Sequence, residues 1–149
     1  MMVLGFTTQA VTEPQIRRLL DLVVRENTAL FLGRLRAGQQ VQSAADAELR
    51  YCPDRASPHE IVILDAASLL DQGVGSCGSI AAYEVAYLRA IAQHQGTPAP
   101  VAAGRYAPEL RRQPTRNDVA YWHAIVRTPS GLYDPTRHLP QVCVTPSYA

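Results

Sequence analysis

The fold is decided by the stretch Gly73-Val74-Gly75-Ser76-Cys77-Gly78-Ser79, a glycine-rich turn that leads directly into an apolar segment. From Cys77 or Gly78 to about Gln95 the apolar residues recur at helical spacing, with few polar interruptions. This pattern predicts a central helix that is buried on most of its faces and carries a thiol in its first turn. A helix N-terminus stabilises a thiolate, so reactive cysteines are found in such settings.

Cys77 is the candidate nucleophile. Glycines beside it permit tight backbone geometry and close approach of a substrate, and the Cys77 N–H is placed to stabilise an oxyanion. A second oxyanion donor is either the side chain of Gln72, five residues upstream, or a tyrosine. The alternative for any unpaired cysteine is a small buried hydrophobe. That alternative is favoured for Cys52, which precedes a proline, and for Cys143, which lies among Val and Thr.

His123 and Asp134 are the candidate partners of this thiol. His123 lies in an apolar segment typical of a buried strand, and Asp134 follows eleven residues later, beyond a turn at Pro129-Ser130-Gly131. A hairpin would place the two side chains on neighbouring antiparallel strands, where they can pair. The three residues can then act as nucleophile, base and orienter. The alternatives are a core histidine and an Asp-Pro turn, and that turn is compatible with an orienting role.

Side chains alternate between the two faces of a strand, and this predicts where the neighbours of His123 point. Trp122 and Ala124 are expected to point away from His123, which would face the Cys77 helix together with Tyr121. The candidate substrate-binding residues are therefore Gln72, Gly75, Ser76, Tyr121 and Trp122.

The remaining pattern predicts helices first and strands later, which is an α+β fold. A capping box at Thr12 to Gln15 begins a helix that ends at Gly33 or Gly38, and Asp65 caps a short helix that stops at Gly73. The other predicted elements are a short helix over Gln42–Leu49 and strands over Val101–Tyr106, Val119–Thr128, Gly131–Asp134 and Gln141–Thr145.

Composition predicts one domain over residues 1–149, because the chain is 47% hydrophobic and has no linker. A net charge of +1 gives no reason to expect nucleic acid, and no apolar run approaches a membrane span. The first ten residues do not resemble a signal peptide, so a cytoplasmic location is expected. Three cysteines without Cys-x-x-Cys spacing predict neither a disulfide scaffold nor a metal site, and nothing indicates a cofactor.

The basic residues and the remaining histidines are given surface positions. An arginine-rich stretch is expected to form a loop near the mouth of the site, either solvated or selecting acidic substrates: Arg105, Arg111, Arg112 and Arg116. The histidines expected at the surface or in loops are His59, His94 and His138.

Four motifs in this order resemble the transglutaminase-like superfamily: Gly75-Ser76-Cys77, Gly96-Thr97-Pro98-Ala99, Trp122-His123-Ala124 and Leu132-Tyr133-Asp134-Pro135-Thr136. The resemblance covers residues 50–139, and Arg50–Asp54 and Leu69–Gly73 are similar to the lead-in of small bacterial and phage members. It leaves residues 1–49 as an N-terminal helical part. The resemblance implies a papain-like core in which the Cys77 helix packs on an antiparallel sheet, with Cys77 as nucleophile, His123 as base and Asp134 as orienter.

The chain departs from many members of this superfamily beside the nucleophile. They have acidic residues there, whereas this chain has Ser76, Gly78 and Ser79. The narrower papain-type protease assignment fails, because only 46 residues separate Cys77 from His123.

The expected function is a thiol-dependent amide-bond hydrolase, a cysteine protease or amidase that acts on a protein or peptide through a thioester. One alternative is a protein-glutamine acyltransferase, which the absence of lysine suits, since such a chain cannot cross-link itself through one. A GC-rich genome explains the same absence. The other alternative is a non-catalytic structural or interaction module with a phage or bacterial assembly partner, for instance in a virion.

Overall fold

The computed structural model describes residues 3–7, 12–53, 60–114 and 120–142. Within these ranges, helices and strands alternate through most of the chain. In order they are β1 (Val3–Thr7), α1 (Glu13–Arg36), β2 (Arg50–Tyr51), β3 (Glu60–Leu64), α2 (Ala66–Gln72), β4 (Val74–Gly75), α3 (Cys77–His94), α4 (Ala99–Arg105), β5 (Ala107–Pro114), β6 (Ala120–Thr128), β7 (Gly131–Tyr133) and a 3-10 helix (Pro135–His138). None of the helices in the described ranges is long and apolar enough to cross a membrane.

The start of α1 is fixed by local capping, as predicted. Oγ1 of Thr12 accepts a hydrogen bond from the Gln15 N–H at 3.4 Å, and Oε1 of Gln15 accepts one from the Thr12 N–H at 2.9 Å. Of the two predicted ends, Gly38 is the correct one, because the helix passes through Gly33 and Gly38 follows it with φ of 77°.

Helix α3 is the central element, and it is buried on most faces, as predicted. One side packs with α1 and the sheet, through a cluster that includes Val23, Val85 and Val126. Another side packs with α2 and the end of α1, where the rings of Phe31 and Tyr83 meet edge to face at 5.0 Å between centroids.

Strands β5, β6 and β7 form an antiparallel sheet in that order, against which α3 packs. The predicted hairpin between β6 and β7 is confirmed: Thr128 Oγ1 accepts from the Ser130 N–H and donates to the Gly131 carbonyl, and Gly131 has φ of 121°. Two smaller pairs complete the fold, β1 antiparallel to β3 and β2 parallel to β4. The α+β prediction is confirmed.

The predicted helix over Gln42–Leu49 is wrong. Residues 44–48 form turns, and Glu48 adopts a left-handed φ of 57°, which interrupts helical propagation. The N-terminal part is also not wholly helical, since β1 precedes α1.

The predicted strand over Val101–Tyr106 is also wrong, because the chain forms α4 there. Pro100 is tolerated in its first turn, and alanines favour the helix. Its C-terminal carbonyls are satisfied by Arg89 of α3, whose guanidinium donates to the carbonyls of Tyr106 at 2.7 Å and Ala103 at 3.4 Å.

The prediction that the arginine-rich stretch forms a loop is also wrong for its described residues. Arg105 ends α4, whereas Arg111 and Arg112 lie on β5, paired with β6. Arg116 falls outside the described residues. The predicted strand over Gln141–Thr145 is described only at its start, where Gln141 bridges Tyr51.

Candidate active site

Cys77 is the first residue of α3, and only 6% of it is exposed. Ser76 caps the helix, because its Oγ accepts a hydrogen bond from the Ser79 N–H at 3.4 Å. The N–H groups of Cys77 and Gly78 precede that bond and have no acceptor within the helix. The helix start therefore places two N–H donors next to the thiol, while Ser76 is engaged in capping.

The glycines of the motif serve the packing of the chain itself. A Cβ on Gly75 would lie 2.5 Å from Cδ1 of Leu69 and 3.2 Å from Cβ of Ser79, and one on Gly78 would lie 3.3 Å from Cγ1 of Ile63. Packing accounts for these glycines without a substrate.

His123 and Asp134 form a hydrogen-bonded pair. Nε2 of His123 lies 2.6 Å from Oδ2 of Asp134, and the two side chains are 12% and 16% exposed. The other carboxylate oxygen, Oδ1, accepts from the Thr136 hydroxyl at 2.6 Å and from the Thr136 N–H at 3.0 Å. Asp134 thus caps the 3-10 helix and hydrogen-bonds to the imidazole at once, so the two contacts that the sequence predicted are compatible.

The Cys77 side chain beside the imidazole is the largest influence on the pKa of His123, and it raises that pKa. Burial lowers that pKa, whereas the charge of Cys77 and the hydrogen bond and charge of Asp134 raise it, so that it reaches about 9. Because Asp134 occupies Nε2, Nδ1 is the nitrogen left for the thiol. The structure therefore brings the three predicted residues together in the predicted order.

The carboxylate of Asp134 is held in its ionised form. Burial alone would raise its pKa, but the hydrogen bonds from Thr136 and His123, together with the charge of His123, lower it below the ordinary value. An ionised carboxylate on one side and a thiolate on the other favour a protonated imidazole. Such a site can hold a thiolate–imidazolium pair.

The other predicted binding residues have mixed outcomes. Gln72 is exposed at the end of α2. Trp122 and Ala124 do not point away from α3 as expected; they pack in the cluster that contains Ala81 and Val85, because this face of β6 covers the helix. The side chain of Tyr121 lies outside the described part of the structure.

Two of the remaining histidines and one of the remaining cysteines lie among the described residues. His94 and His138 are exposed, as predicted. Cys52 is partly buried, and its thiol donates to the Pro53 carbonyl at 3.8 Å. His59 and Cys143 fall outside the described residues. Among the described side chains, no group of three or more His, Cys, Asp or Glu residues is arranged to hold a metal ion.

Two residues near the candidate site were not identified from the sequence, and a third, Arg111, was expected near it only as part of a loop. Thr136 was signalled only by its place two residues after an Asp-Pro pair. Glu84 was visible as an acidic interruption of an apolar helix, but its partner is 49 residues away. Arg111 lies directly opposite His123 in the register of β5 and β6.

No protein-family model matches the chain, and no curated protein or solved structure matches it either. The candidate site therefore rests on the position of Cys77 beside His123 and on the hydrogen bond between His123 and Asp134.

Proposed function

We propose that this chain is a thiol-dependent amide-bond hydrolase of the transglutaminase-like superfamily, with a papain-like core. The observation that carries the proposal is the arrangement of Cys77 beside the imidazole of His123, which is itself hydrogen-bonded to Asp134. It joins a helix N-terminus, a strand and the end of the next strand. The substrate class that fits is a protein or peptide.

The reaction follows from these positions. The Cys77 sulfur attacks the amide carbonyl carbon, and the resulting oxyanion is stabilised by the Cys77 N–H at the start of α3. His123 gives its proton to the leaving amine as the C–N bond breaks, which leaves a thioester. His123 then takes a proton from water, the hydroxide attacks the thioester, and the C–S bond breaks. Asp134 keeps the imidazole oriented throughout.

Acyl transfer is the second candidate, and the absence of lysine is compatible with it. In that reaction a primary amine attacks the thioester in place of water. A chain without lysine offers no side-chain amine of its own to such a thioester. A non-catalytic module that keeps the fold is the third candidate, and it requires no activated thiol.

Alkylation of the native protein tests the proposal. Iodoacetamide is added from pH 5 to pH 9, and the modified cysteine is mapped by mass spectrometry. We expect Cys77 to react faster than Cys52 and Cys143 at pH 6, because its thiolate is paired with an imidazolium. Equal rates for the three cysteines at pH 6 contradict an activated thiol and favour the non-catalytic module.

Product analysis separates hydrolysis from transfer. A library of peptide amides is incubated with the protein, with and without an added primary amine. Free acids indicate hydrolysis, and amine conjugates indicate transfer. Cys77→Ala and His123→Ala are each expected to abolish both products, and retained turnover in either variant would overturn the assigned roles.

A further inference from the structure

Glu84 lies on α3 seven residues after Cys77, about two helical turns further along the same face. Its partly buried carboxylate makes two hydrogen bonds to other segments of the chain. Oε2 accepts from the Tyr133 hydroxyl at 3.0 Å, and Oε1 accepts from the Ala44 N–H at 3.0 Å. The helix that carries the thiol is therefore tied both to the end of the sheet and to the N-terminal part.

Tyr133 is the last residue of β7 and directly precedes Asp134. Its ring packs against the core cluster that contains Cys77, Val85 and Val126. Burial and the neighbouring Glu84 both raise the pKa of Tyr133, so the phenol remains a neutral donor to the carboxylate. The backbone leading into Asp134 is consequently held against α3 by a hydrogen bond to a charged acceptor, which is stronger than one between neutral groups.

Helix α3 and the β7 end are thus joined at two places. One is the candidate site, where Cys77 lies beside the hydrogen-bonded pair of His123 and Asp134, and the other is the bond between Glu84 and Tyr133. Since Asp134 lies just after the last pair of the β6–β7 ladder, the ladder does not fix its position. The hydrogen bond from Tyr133 to Glu84 restrains the residue that precedes Asp134, and the Thr136 hydroxyl restrains the Asp134 carboxylate.

We propose that Glu84 is a positioning residue, which acts through Tyr133 to hold Asp134 against His123. This inference rests on the proposed function, in which Asp134 orients the catalytic imidazole. Glu84 itself does not contact the reacting atoms. Its role is to keep the strand end in register with the helix that presents the thiol.

The test is the imidazole titration of His123, followed by NMR, in the wild type, Tyr133→Phe and Tyr83→Phe. Tyr133→Phe removes the hydroxyl but keeps the ring and the charge of Glu84. Tyr83→Phe is the matched control, because its buried hydroxyl also joins α3 to the N-terminal part, donating to the Gln42 carbonyl at 2.9 Å, but has no link to Asp134. The ionisable groups around His123 are retained in all three proteins: Cys77 on α3, Asp134 just after β7, and Arg111 opposite His123 on β5.

We expect Tyr133→Phe to lower the proton affinity of His123 about two- to tenfold, the range for the loss of one hydrogen bond. Tyr83→Phe is expected to leave it unchanged. An unchanged titration in Tyr133→Phe, or an equal shift in Tyr83→Phe, overturns the proposal. Should Tyr133→Phe fail to fold, Glu84→Gln serves the same measurement: it is expected to weaken His123 protonation relative to Tyr83→Phe, and an unchanged titration contradicts the role of Glu84.

The alkylation of wild-type Cys77 separates this inference from the proposed function. If wild-type Cys77 is selectively reactive but Tyr133→Phe titrates like the wild type, only the inference fails. If wild-type Cys77 is unreactive but Tyr133→Phe shifts the titration, the positioning role stands and the proposed function fails.

Discussion

Nε2 of His123 lies 2.6 Å from Oδ2 of Asp134, although the two residues are not opposite each other in the sheet. The ladder between β6 and β7 ends at the pair of Val126 and Tyr133, and one further step would put Ile125 beside Asp134. The contact is therefore diagonal. It forms where Asp134 leaves the strand to cap the 3-10 helix, so the carboxylate is held by Thr136 on one side and the imidazole on the other.

Replacing Asp134 by Asn is expected to slow alkylation of Cys77 at pH 7 by at least about tenfold. A carboxylate beside an imidazolium raises the imidazole pKa by one unit or more, and an amide of the same size does not. The thiolate–imidazolium pair would then be less populated. The measurement is the pH dependence of the iodoacetamide rate at Cys77.

Thr136→Val is expected to slow alkylation of Cys77 less than Asp134→Asn does. It removes the hydroxyl that donates to Oδ1 but keeps the backbone N–H of residue 136, so a smaller loss of about two- to tenfold is expected. A wild-type rate in Asp134→Asn would contradict the orienting role of the carboxylate.

The stability of the protein is expected to fall as pH rises from about 6.5 to about 9. Folding raises the pKa of His123 from its ordinary 6.5 to about 9, so the native state binds more protons than the unfolded state in that window. Its contribution is fully present below pH 6.5 and is lost as pH passes the folded value. Urea unfolding at pH 6 and pH 9.5 measures it, and His123→Ala should show a smaller difference between the two. An equal difference in His123→Ala would assign the effect to other groups.

At acid pH the stability of the protein is expected to change in the opposite direction, falling as pH falls. The pKa of Asp134 is lowered on folding, because the hydrogen bonds from Thr136 and His123 outweigh the raising effect of burial. Its contribution is present above its ordinary value of 3.8 and is lost as pH falls through the lower folded value. Asp134→Asn is therefore expected to lose less stability than the wild type between pH 5 and pH 2, as urea unfolding would show. An identical loss would contradict this.

The sequence was sufficient where local contacts decide the structure. Thr12, Asp65 and Ser76 each bond to a backbone N–H three residues later, so the starts of α1, α2 and α3 follow from short motifs. The proximity of Cys77, His123 and Asp134 could be predicted because a glycine-rich helix start and a hairpin turn are also local signals.

The sequence was insufficient where the structure depends on contacts between residues that are far apart in the chain. The end of α4 is satisfied by Arg89, which lies 17 residues away from Tyr106. Strand β5 contains Pro108 and Pro114 and has little apolar alternation, which is tolerated because it is an edge strand paired only with β6 among the described residues. The bond of Glu84 to Tyr133 likewise depends on a fold that brings the two together.

Gly75→Ala is expected to destabilise the protein by about 1–3 kcal/mol, because the new Cβ would press on buried Leu69 and on Ser79. Gly33→Ala is the matched control: it lies within α1, nothing lies within 4 Å of its Cβ position, and it should stabilise the protein by about 0.5–1 kcal/mol. Urea unfolding measures both. A neutral result at Gly75 would show that Leu69 can yield, and would leave this glycine without a packing explanation.

Arg111 is expected to favour anionic substrates at the site. Directly opposed residues of an antiparallel pair share one face of the sheet, so Arg111 lies on the face of His123, and Arg112 lies on the face of Trp122. Both arginines are exposed. An anion that approaches the thiol along the face of His123 should therefore be attracted by Arg111 and not by Arg112, weakly at this exposed position and less so at high salt.

The ratio of Cys77 alkylation by iodoacetate to that by iodoacetamide measures this attraction, because the two reagents have similar size and differ in charge. Arg111→Gln should lower the ratio about two- to fivefold at low ionic strength, which corresponds to roughly 0.4–1 kcal/mol for an exposed ion pair. Arg112→Gln should leave it unchanged, and about 1 M salt should reduce the wild-type ratio towards that of Arg111→Gln. The charge of His123 is common to all the variants and cancels in the comparison. Equal ratios in Arg111→Gln and the wild type would mean that β5 contributes no selection by charge. A lower ratio in Arg111→Gln alone would direct the peptide library towards amides that carry a carboxylate near the scissile bond.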